Sequence, residues 1–477
     1  MNAKGKKAIA KICLEMMKVN FIMNAFLRWG EKQLLKILVV KNPRNRPVGA
    51  QEEKYIAVRN LMKAFEKKFK EGAISPSVRN WVFKRLVGDI ILNWTERHPE
   101  AEERRRREDP LPIFMTISPT QKCNLACFGC YAASSNNTPA TLEWDIVDRL
   151  MEQKRELWGS YFTVISGGEP LLYESQGKTI VDLFEKYNDN FFLMYTNGTL
   201  IDRNMAKKFA ELGNVAPAIS VEGFEKHTDE RRGKGVFKKI VGAMEALKEE
   251  GVLFGASLTA TRQNVEEITS DEFFDFFFDK LGSSFTWMFQ YMPIGRGPTF
   301  DMMITPEQRR QLWFRERHLM RDRGIFFIDF WNGGPISDGC ICAGRKGGYL
   351  YIDWFGNVMP CVFVPYSVGN IKTDYFDKGK NLDDVLNTPF FTKLRDWQEG
   401  YSYKRPSNEA GNEIVPCPIR DHHDEFHRIA EENRAIPVGK TTEVAFNDKQ
   451  FINDLAEIGK KAHKATQDLW VREYQKL

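Results

Sequence analysis

From residue 113 onward the chain alternates between short apolar, β-like runs and stretches with helical periodicity. The runs fall at 113–118, 161–166, 191–196, 215–221, 253–260 and 284–292. Helical patterns separate them at 141–157, 177–188, 202–213, 235–250 and 265–281, and a sixth at 305–322 follows the last run. Several runs are continuously apolar, as a strand covered on both faces must be. Strict alternation through six units predicts a parallel α/β fold with right-handed crossovers, either an open sheet or part of a barrel. Ligands of such folds bind at the carboxyl ends of the strands.

The residues at those ends are small, polar or metal-ligating. After the first run comes Cys123-Asn124-Leu125-Ala126-Cys127-Phe128-Gly129-Cys130, three thiols within eight residues, followed by Tyr131 and Ala132. Structural zinc and ordinary thiolate-bound iron–sulfur sites take four protein ligands. Three leave a coordination position open for chemistry. The second run ends Ser166-Gly167-Gly168-Glu169-Pro170. Its glycines permit close backbone approach to a ligand, and Glu169 can accept hydrogen bonds from an ammonium group. The third ends on Asn197-Gly198, the fourth on Ser220-Val221-Glu222-Gly223, the fifth on Thr261-Arg262, and the sixth on Gln290 through Gly297.

The Cys-x3-Cys-x2-Cys spacing, with Gly-Gly-Glu-Pro at the second strand and Thr-Asn-Gly-Thr-Leu at the third, resembles the radical S-adenosylmethionine (radical SAM) superfamily. The resemblance covers about residues 113 to 324 and implies a partial (β/α)6 TIM-like barrel. In that family three thiolates hold a [4Fe-4S] cluster whose remaining iron chelates S-adenosylmethionine. Reductive cleavage of the sulfonium yields a radical that takes hydrogen from substrate, and the protein's tasks are positioning and exclusion of water. By this resemblance Cys123, Cys127 and Cys130 are cluster ligands. Gly167, Gly168 and Glu169 hold the methionine amino group, Asn197, Ser220 and Glu222 supply polar contacts to the cofactor, and Arg262 meets its carboxylate. One departure is that Gly129, not an aromatic residue, precedes the third cysteine.

A second cysteine set follows. Cys340 and Cys342 precede two β-like runs around Phe355-Gly356-Asn357, then Cys361, and Cys417 lies between prolines. The β-like runs read as a hairpin. This order is similar to the SPASM/twitch extensions of radical SAM enzymes. Four thiols, at 340, 342, 361 and 417, suffice for one auxiliary [4Fe-4S] cluster, with 340 and 342 both fitting as ligands. His422, His423 and His427 leave a mixed Cys/His zinc site open, although histidines in a charged loop are more often solvated. Cys13 reads as a small buried hydrophobe.

The 477 residues exceed one ordinary core. The expected division is a basic helical extension (1–110), a radical SAM core (111–325), a SPASM/twitch-like domain (326–430) and a C-terminal helical tail (431–477). Residues 1–110 carry 25 Lys/Arg against 13 Asp/Glu, while the whole chain is only +5. Much of that excess lies in residues 1–41, where apolar residues recur at helical steps. Such a basic amphipathic stretch can lie in a membrane interface or pack on the protein's own surface. Without interleaved stacking aromatics it does not point to nucleic acid. The longest uncharged run there, Val19 to Leu27, is far too short to span a bilayer. With no secretory signal and cysteines reading as metal or redox ligands, a cytoplasmic protein is expected, with peripheral membrane contact through residues 1–41.

The functional expectation is an enzyme that abstracts hydrogen from an unactivated position, reduced by a donor such as flavodoxin or ferredoxin. The basic start and the Phe-rich stretch Phe273 to Phe289, as an apolar channel, favour a lipid or membrane-held substrate. The alternatives are a peptide- or protein-modifying maturase, a small-molecule substrate, and a non-catalytic iron–sulfur or zinc scaffold.

Overall fold

The computed structural model describes residues 20–475. Cys13 and the first half of the amphipathic start lie outside the described residues. β1 (Phe114–Ile117), β2 (Phe162–Ile165), β3 (Phe191–Thr196), β4 (Val215–Val221), β5 (Gly255–Ala260), β6 (Thr286–Gln290) and β7 (Phe327–Asp329) lie side by side in sequence order. Each pairs parallel with the next. Right-handed crossovers that always advance in one direction put every helix on the same face of the sheet. The sheet therefore curls as a partial barrel, with its other face turned inward.

The strands alternate accordingly. Phe114, Thr116, Phe162, Val164, Leu193 and Tyr195 face the interior, while Met115, Ile117, Ile165, Phe192 and Met194 join the core beneath the helices. The expected six strands become seven. β7 is only three residues long, inside an apolar run too short to reveal a period. At the free edge of β1, β8 (Tyr351–Ile352) pairs parallel, and β9 (Val358–Met359) folds back antiparallel on β8. The expected hairpin is present, and it extends the barrel wall. Asp353 Oδ1 ties its turn, accepting from the backbone N–H of Phe355 and of Asn357, both at 2.9 Å.

Helix boundaries follow local chemistry. α1 (Asn20–Leu35) continues as a π-helical segment to Lys41, and α2 (Val48–Lys70) packs beside it. The helix from Pro76 has a capped start, with Ser75 Oγ accepting from Val78 N at 3.2 Å and proline at the first position. α3 (Trp144–Trp158) buries Ile146, Val147, Leu150, Met151 and Trp158, one helical stripe, and stops at Gly159 with φ 59°. α4 (Pro306–Arg317) opens with a capping box between Thr305 and Gln308. α5 (Pro389–Gln398) belongs to the C-terminal region, and α6 (Lys449–Glu473) closes the chain against α4. At Gly459 of α6 a Cβ would stand 2.4 Å from the Asp421 carbonyl oxygen, so glycine permits that close approach.

Candidate functional site

At the carboxyl end of β1 the cysteine loop holds its shape through bonds to its backbone carbonyls. Arg296, from the loop after β6, donates to Cys127 O at 2.9 Å and Ala133 O at 3.0 Å, and also to Ser134 O. Arg231 donates to Phe128 O at 3.1 Å and accepts the Phe128 N–H in return. At Gly295, φ is 77° and a Cβ would meet Cys130 O at 2.3 Å. Only glycine lets the two loops touch there.

Cys123, Cys127 and Cys130 line one cavity of about 260 Å³ inside the barrel mouth. Burial pushes the Cys123 thiol up to about 11 and raises Cys127 as well, although Arg232 opposes the shift. Neutral thiols are thus favoured by the apolar surroundings, and a cationic metal centre reverses that preference. Three soft donors grouped at one cavity suit an iron–sulfur cluster.

The second-strand glycines line the same cavity. A Cβ at Gly168 would sit 2.3 Å from Lys122 O and 2.4 Å from Gln121 O, and one at Gly167 would sit 2.6 Å from Thr120 O. The Gly-Gly pair is therefore dictated by contact with the start of the cysteine loop. Glu169 is fully buried and lies behind this surface. Its carboxylate accepts from Thr196 Oγ1 (2.8 Å), Asn197 N (2.9 Å) and Leu171 N (3.2 Å), while burial raises its pKa. Asn197 and Ser220 line the cavity. Asn197 Nδ2 bonds Asn124 Oδ1 at 2.9 Å, and Asn124 bonds Thr199 Oγ1 at 2.8 Å. The Thr-Asn-Gly-Thr segment thereby grips the residue next to Cys123.

Besides Glu169, two further expected cofactor contacts do not line the cavity. The carboxylate of Glu222 is paired with Arg231 and with Arg232, each at 2.5 Å, and it is these arginines that line the cavity beside Cys127. Arg262 is exposed, with its guanidinium donating to Met303 O at 3.2 Å and Phe300 O at 3.3 Å. The loop after β5 carries the Arg262 side chain outward, away from a carboxylate inside the barrel. The departure at Gly129 also has a cause. Its φ is 64°, and the Tyr291 ring occupies the space at 2.8 Å where a Cβ would point. Tyr291 itself lines the cavity, whereas Phe128 is exposed.

Cys340, Cys342, Cys361 and Cys417 line a second cavity of about 610 Å³. Phe114, Phe162, Trp287, Phe330, Ile341 and Phe363 line both cavities and separate the two thiol sets. Gln398 Nε2 donates to Cys342 Sγ at 3.1 Å, and Arg345 Nε donates to Cys340 O at 2.5 Å. Cys340 and Cys342 share a hydrogen bond that lowers the pKa of Cys340 and raises that of Cys342. Among the described residues no three His, Cys, Asp or Glu side chains converge on one ion-sized point; the thiols of each set stand around a cavity.

The three histidines are not a solvated loop. His423 is buried, with Nδ1 2.7 Å from Ile419 O, and His422 and His427 reach Val415 O and Phe446 O, each at 2.9 Å. Helical packing between residues 418 and 432 turns all three onto backbone carbonyls. The Phe-rich stretch also divides. Phe273, Phe274 and Phe277 are core residues beneath the helices, and only Trp287 and Phe289 reach the cavity. Sequence reading missed Tyr131, Tyr195, Tyr291 and Phe363 as lining residues. Tyr131 adjoins Cys130, Tyr195 adjoins Thr196, and Tyr291 lies within the sixth strand end, whereas Phe363 stands apart from every motif.

A profile of the radical SAM superfamily matches residues 117–270, and one of the SPASM iron–sulfur cluster-binding domain matches residues 340–409. The chain is 31% identical over 293 residues to a mycofactocin maturase of Mycolicibacterium smegmatis, spanning 58% of this chain and 71% of the relative. It is 27% identical over 325 residues to an AdoMet-dependent heme synthase of Methanosarcina barkeri, spanning 60% of this chain and 88% of that one. Among solved structures, Streptococcus suis SuiB bound to S-adenosylmethionine has the same fold, with TM-score 0.50 and 18% identity over 72% of this chain and 83% of that one.

Proposed function

The chain belongs to the radical SAM superfamily and carries a SPASM domain, and from this premise we propose that it abstracts hydrogen from an unactivated position on the apolar part of a substrate seated in the barrel. It is an enzyme that binds a [4Fe-4S] cluster and S-adenosylmethionine, with auxiliary iron–sulfur chemistry in the SPASM domain. When bound, the cluster and S-adenosylmethionine supply a one-electron sulfonium cleavage that generates the hydrogen-abstracting radical.

The chain's own residues position and enclose. Cys123, Cys127 and Cys130 are the proposed ligands. Gly167 and Gly168 bring backbone close to the methionine end, and Asn197 and Ser220 offer polar contacts. Glu169 acts from behind, holding Thr196 and Asn197 in place. The pairing of Glu222 with Arg231 and Arg232 balances charge beside Cys127. Cys340, Cys342, Cys361 and Cys417 are the proposed auxiliary set.

The observation that carries this reading is the wall of the cavity. From the thiols inward it is built of Phe114, Phe162, Tyr195, Trp287, Phe289 and Phe330, a surface that excludes water and accepts a bulky apolar group. The proposed substrate is lipid or otherwise held at a membrane. Supporting this, α1 and its continuation expose Trp29 (56%), Ile37 (51%) and Val40 (73%) among Arg28, Lys32, Lys36 and Lys41. Among the described residues no helix is long and apolar enough to cross a membrane, so the contact proposed is peripheral. A peptide substrate is the second reading, favoured by the similarity to a mycofactocin maturase.

Anaerobic reconstitution followed by dithionite reduction tests the activity. Release of 5′-deoxyadenosine is expected, and its absence from a protein with an intact cluster would overturn the enzyme reading. Flotation with liposomes containing anionic lipid separates the substrate classes. Binding that requires residues 1–41 supports the membrane-held reading; flotation unchanged on their removal rejects it.

A further inference from the structure

Tyr349 stands between the two thiol sets. It is buried, and its hydroxyl lies 2.9 Å from Cys361 Sγ. The same oxygen accepts the Val362 N–H at 3.4 Å, leaving its own hydrogen free for the sulfur. The ring stacks on Phe114 of β1, with centroids 4.8 Å apart and planes at 7°, and Phe330 meets it edge-on at 6.3 Å. Tyr349 lines the first cavity and Cys361 the second. One side chain therefore has its ring locked to the barrel wall and its donor aimed at an auxiliary sulfur.

A donor fixed on a cysteine sulfur stabilises the cluster state with more negative charge on its sulfurs, which is the reduced state, and so raises the reduction potential. Cys361 also receives the Phe363 N–H at 3.4 Å. That backbone donor comes with the loop, whereas the tyrosine is a separate choice of residue. Phenylalanine would fill the same stacked position without the hydroxyl.

We propose that Tyr349 is a positioning residue for the auxiliary centre: its hydroxyl, held by the Phe114 stack, holds the Cys361 sulfur and raises the centre's reduction potential. This rests on the second thiol set being an iron–sulfur site. The test uses the full-length chain, reconstituted anaerobically with iron and sulfide and titrated electrochemically under electron paramagnetic resonance. The auxiliary signal is identified as the one that survives Cys123→Ala/Cys127→Ala/Cys130→Ala. Tyr349→Phe should keep iron and sulfide at wild-type content while the auxiliary midpoint falls. At the wild-type midpoint the ratio of reduced to oxidised centre should drop about fivefold, as loss of one ordinary hydrogen bond that favours the reduced state implies, and the signal lost in the triple variant should not move. An unchanged midpoint at full occupancy overturns the proposal. Should Tyr349→Phe fail to retain the auxiliary centre, 2,3-difluorotyrosine at position 349 keeps the ring and strengthens the donor. A midpoint shifted upward then supports the proposal, and an unmoved one rejects it. A triple variant that binds no iron removes the auxiliary centre itself, a failure distinct from an unmoved midpoint.

Discussion

Arg309 of α4 and Asp421 form a buried ion pair whose loss should be among the costliest single changes in this protein. Both side chains are almost completely enclosed, at 2% and 0% exposure. Arg309 Nη1 bonds Asp421 Oδ1 at 2.5 Å and Nη2 bonds Oδ2 at 3.2 Å, while the guanidinium also reaches Ile414 O at 2.6 Å and Asn332 Oδ1 at 2.9 Å. Burial pushes the Asp421 carboxyl up, but Arg309 overrides it and holds the group below the usual carboxylate range. Asp421 Oδ2 also accepts the Cys417 N–H at 3.1 Å. Removing either partner leaves a buried charge without its directly bonded counter-ion, so Arg309→Met and Asp421→Leu should each cost about 3–5 kcal/mol. The double variant removes both charges of the pair together, leaving only the neighbouring Arg420 without Asp421 beside it. Its main cost should be the hydrogen bonds left unmade at Ile414 O and the Cys417 N–H, about 1–3 kcal/mol each, since Asn332 Oδ1 keeps the Gln290 Nε2 donor at 3.3 Å. The assay is urea unfolding of all four proteins at matched iron content, with circular dichroism and tryptophan fluorescence required to coincide. A double variant as unstable as the sum of the two singles, or single variants costing under about 1 kcal/mol, would refute the charge argument.

Three further outcomes are expected. Gly168→Ala should drive a Cβ into Gln121 O and Lys122 O, costing about 1–3 kcal/mol, and should weaken iron retention at Cys123, Cys127 and Cys130; a variant that binds iron like wild type would sink the close-approach argument. Arg296→Leu removes the donors to Cys127 O and Ala133 O and should lower cluster affinity about 10- to 100-fold, read as faster iron loss to a chelator. His423 is held neutral by burial, which lowers its pKa from 6.5 to about 4. Its contribution is therefore complete above the unfolded value and lost as pH falls toward 4, amounting to about 2 kcal/mol between pH 7 and pH 5. His423→Leu should lose less stability over that interval than wild type by about this amount, and equal losses would contradict the assignment.

Much of the barrel was legible because a covered parallel strand and an amphipathic helix carry different hydrophobic periods. The hairpin turn at Phe355-Gly356-Asn357 was legible as punctuation for a similar reason: turn preferences act over three or four residues. β7 escaped because three residues do not make a period, and the histidines at 422, 423 and 427 misled because polarity in sequence says nothing of which carbonyl lies opposite. The two thiol sets were legible as groups, Cys123 to Cys130 from spacing and the later four from an order that resembles SPASM/twitch extensions. Tyr195 and Tyr291 were legible only as strand-end residues, and Phe363 was not legible as a cavity-lining residue.

By itself the sequence determined the elements, the ligand types and the glycines, all consequences of local sterics and side-chain chemistry. Only the tertiary structure decided which groups share a space. It turned Arg262 outward and brought Arg231, Arg232 and Arg296 to the cysteine loop. It also set Tyr291 over Gly129 and laid Tyr349 between the two cavities. Such pairings join residues tens to hundreds of positions apart, through strand order and close packing, and no local preference encodes them.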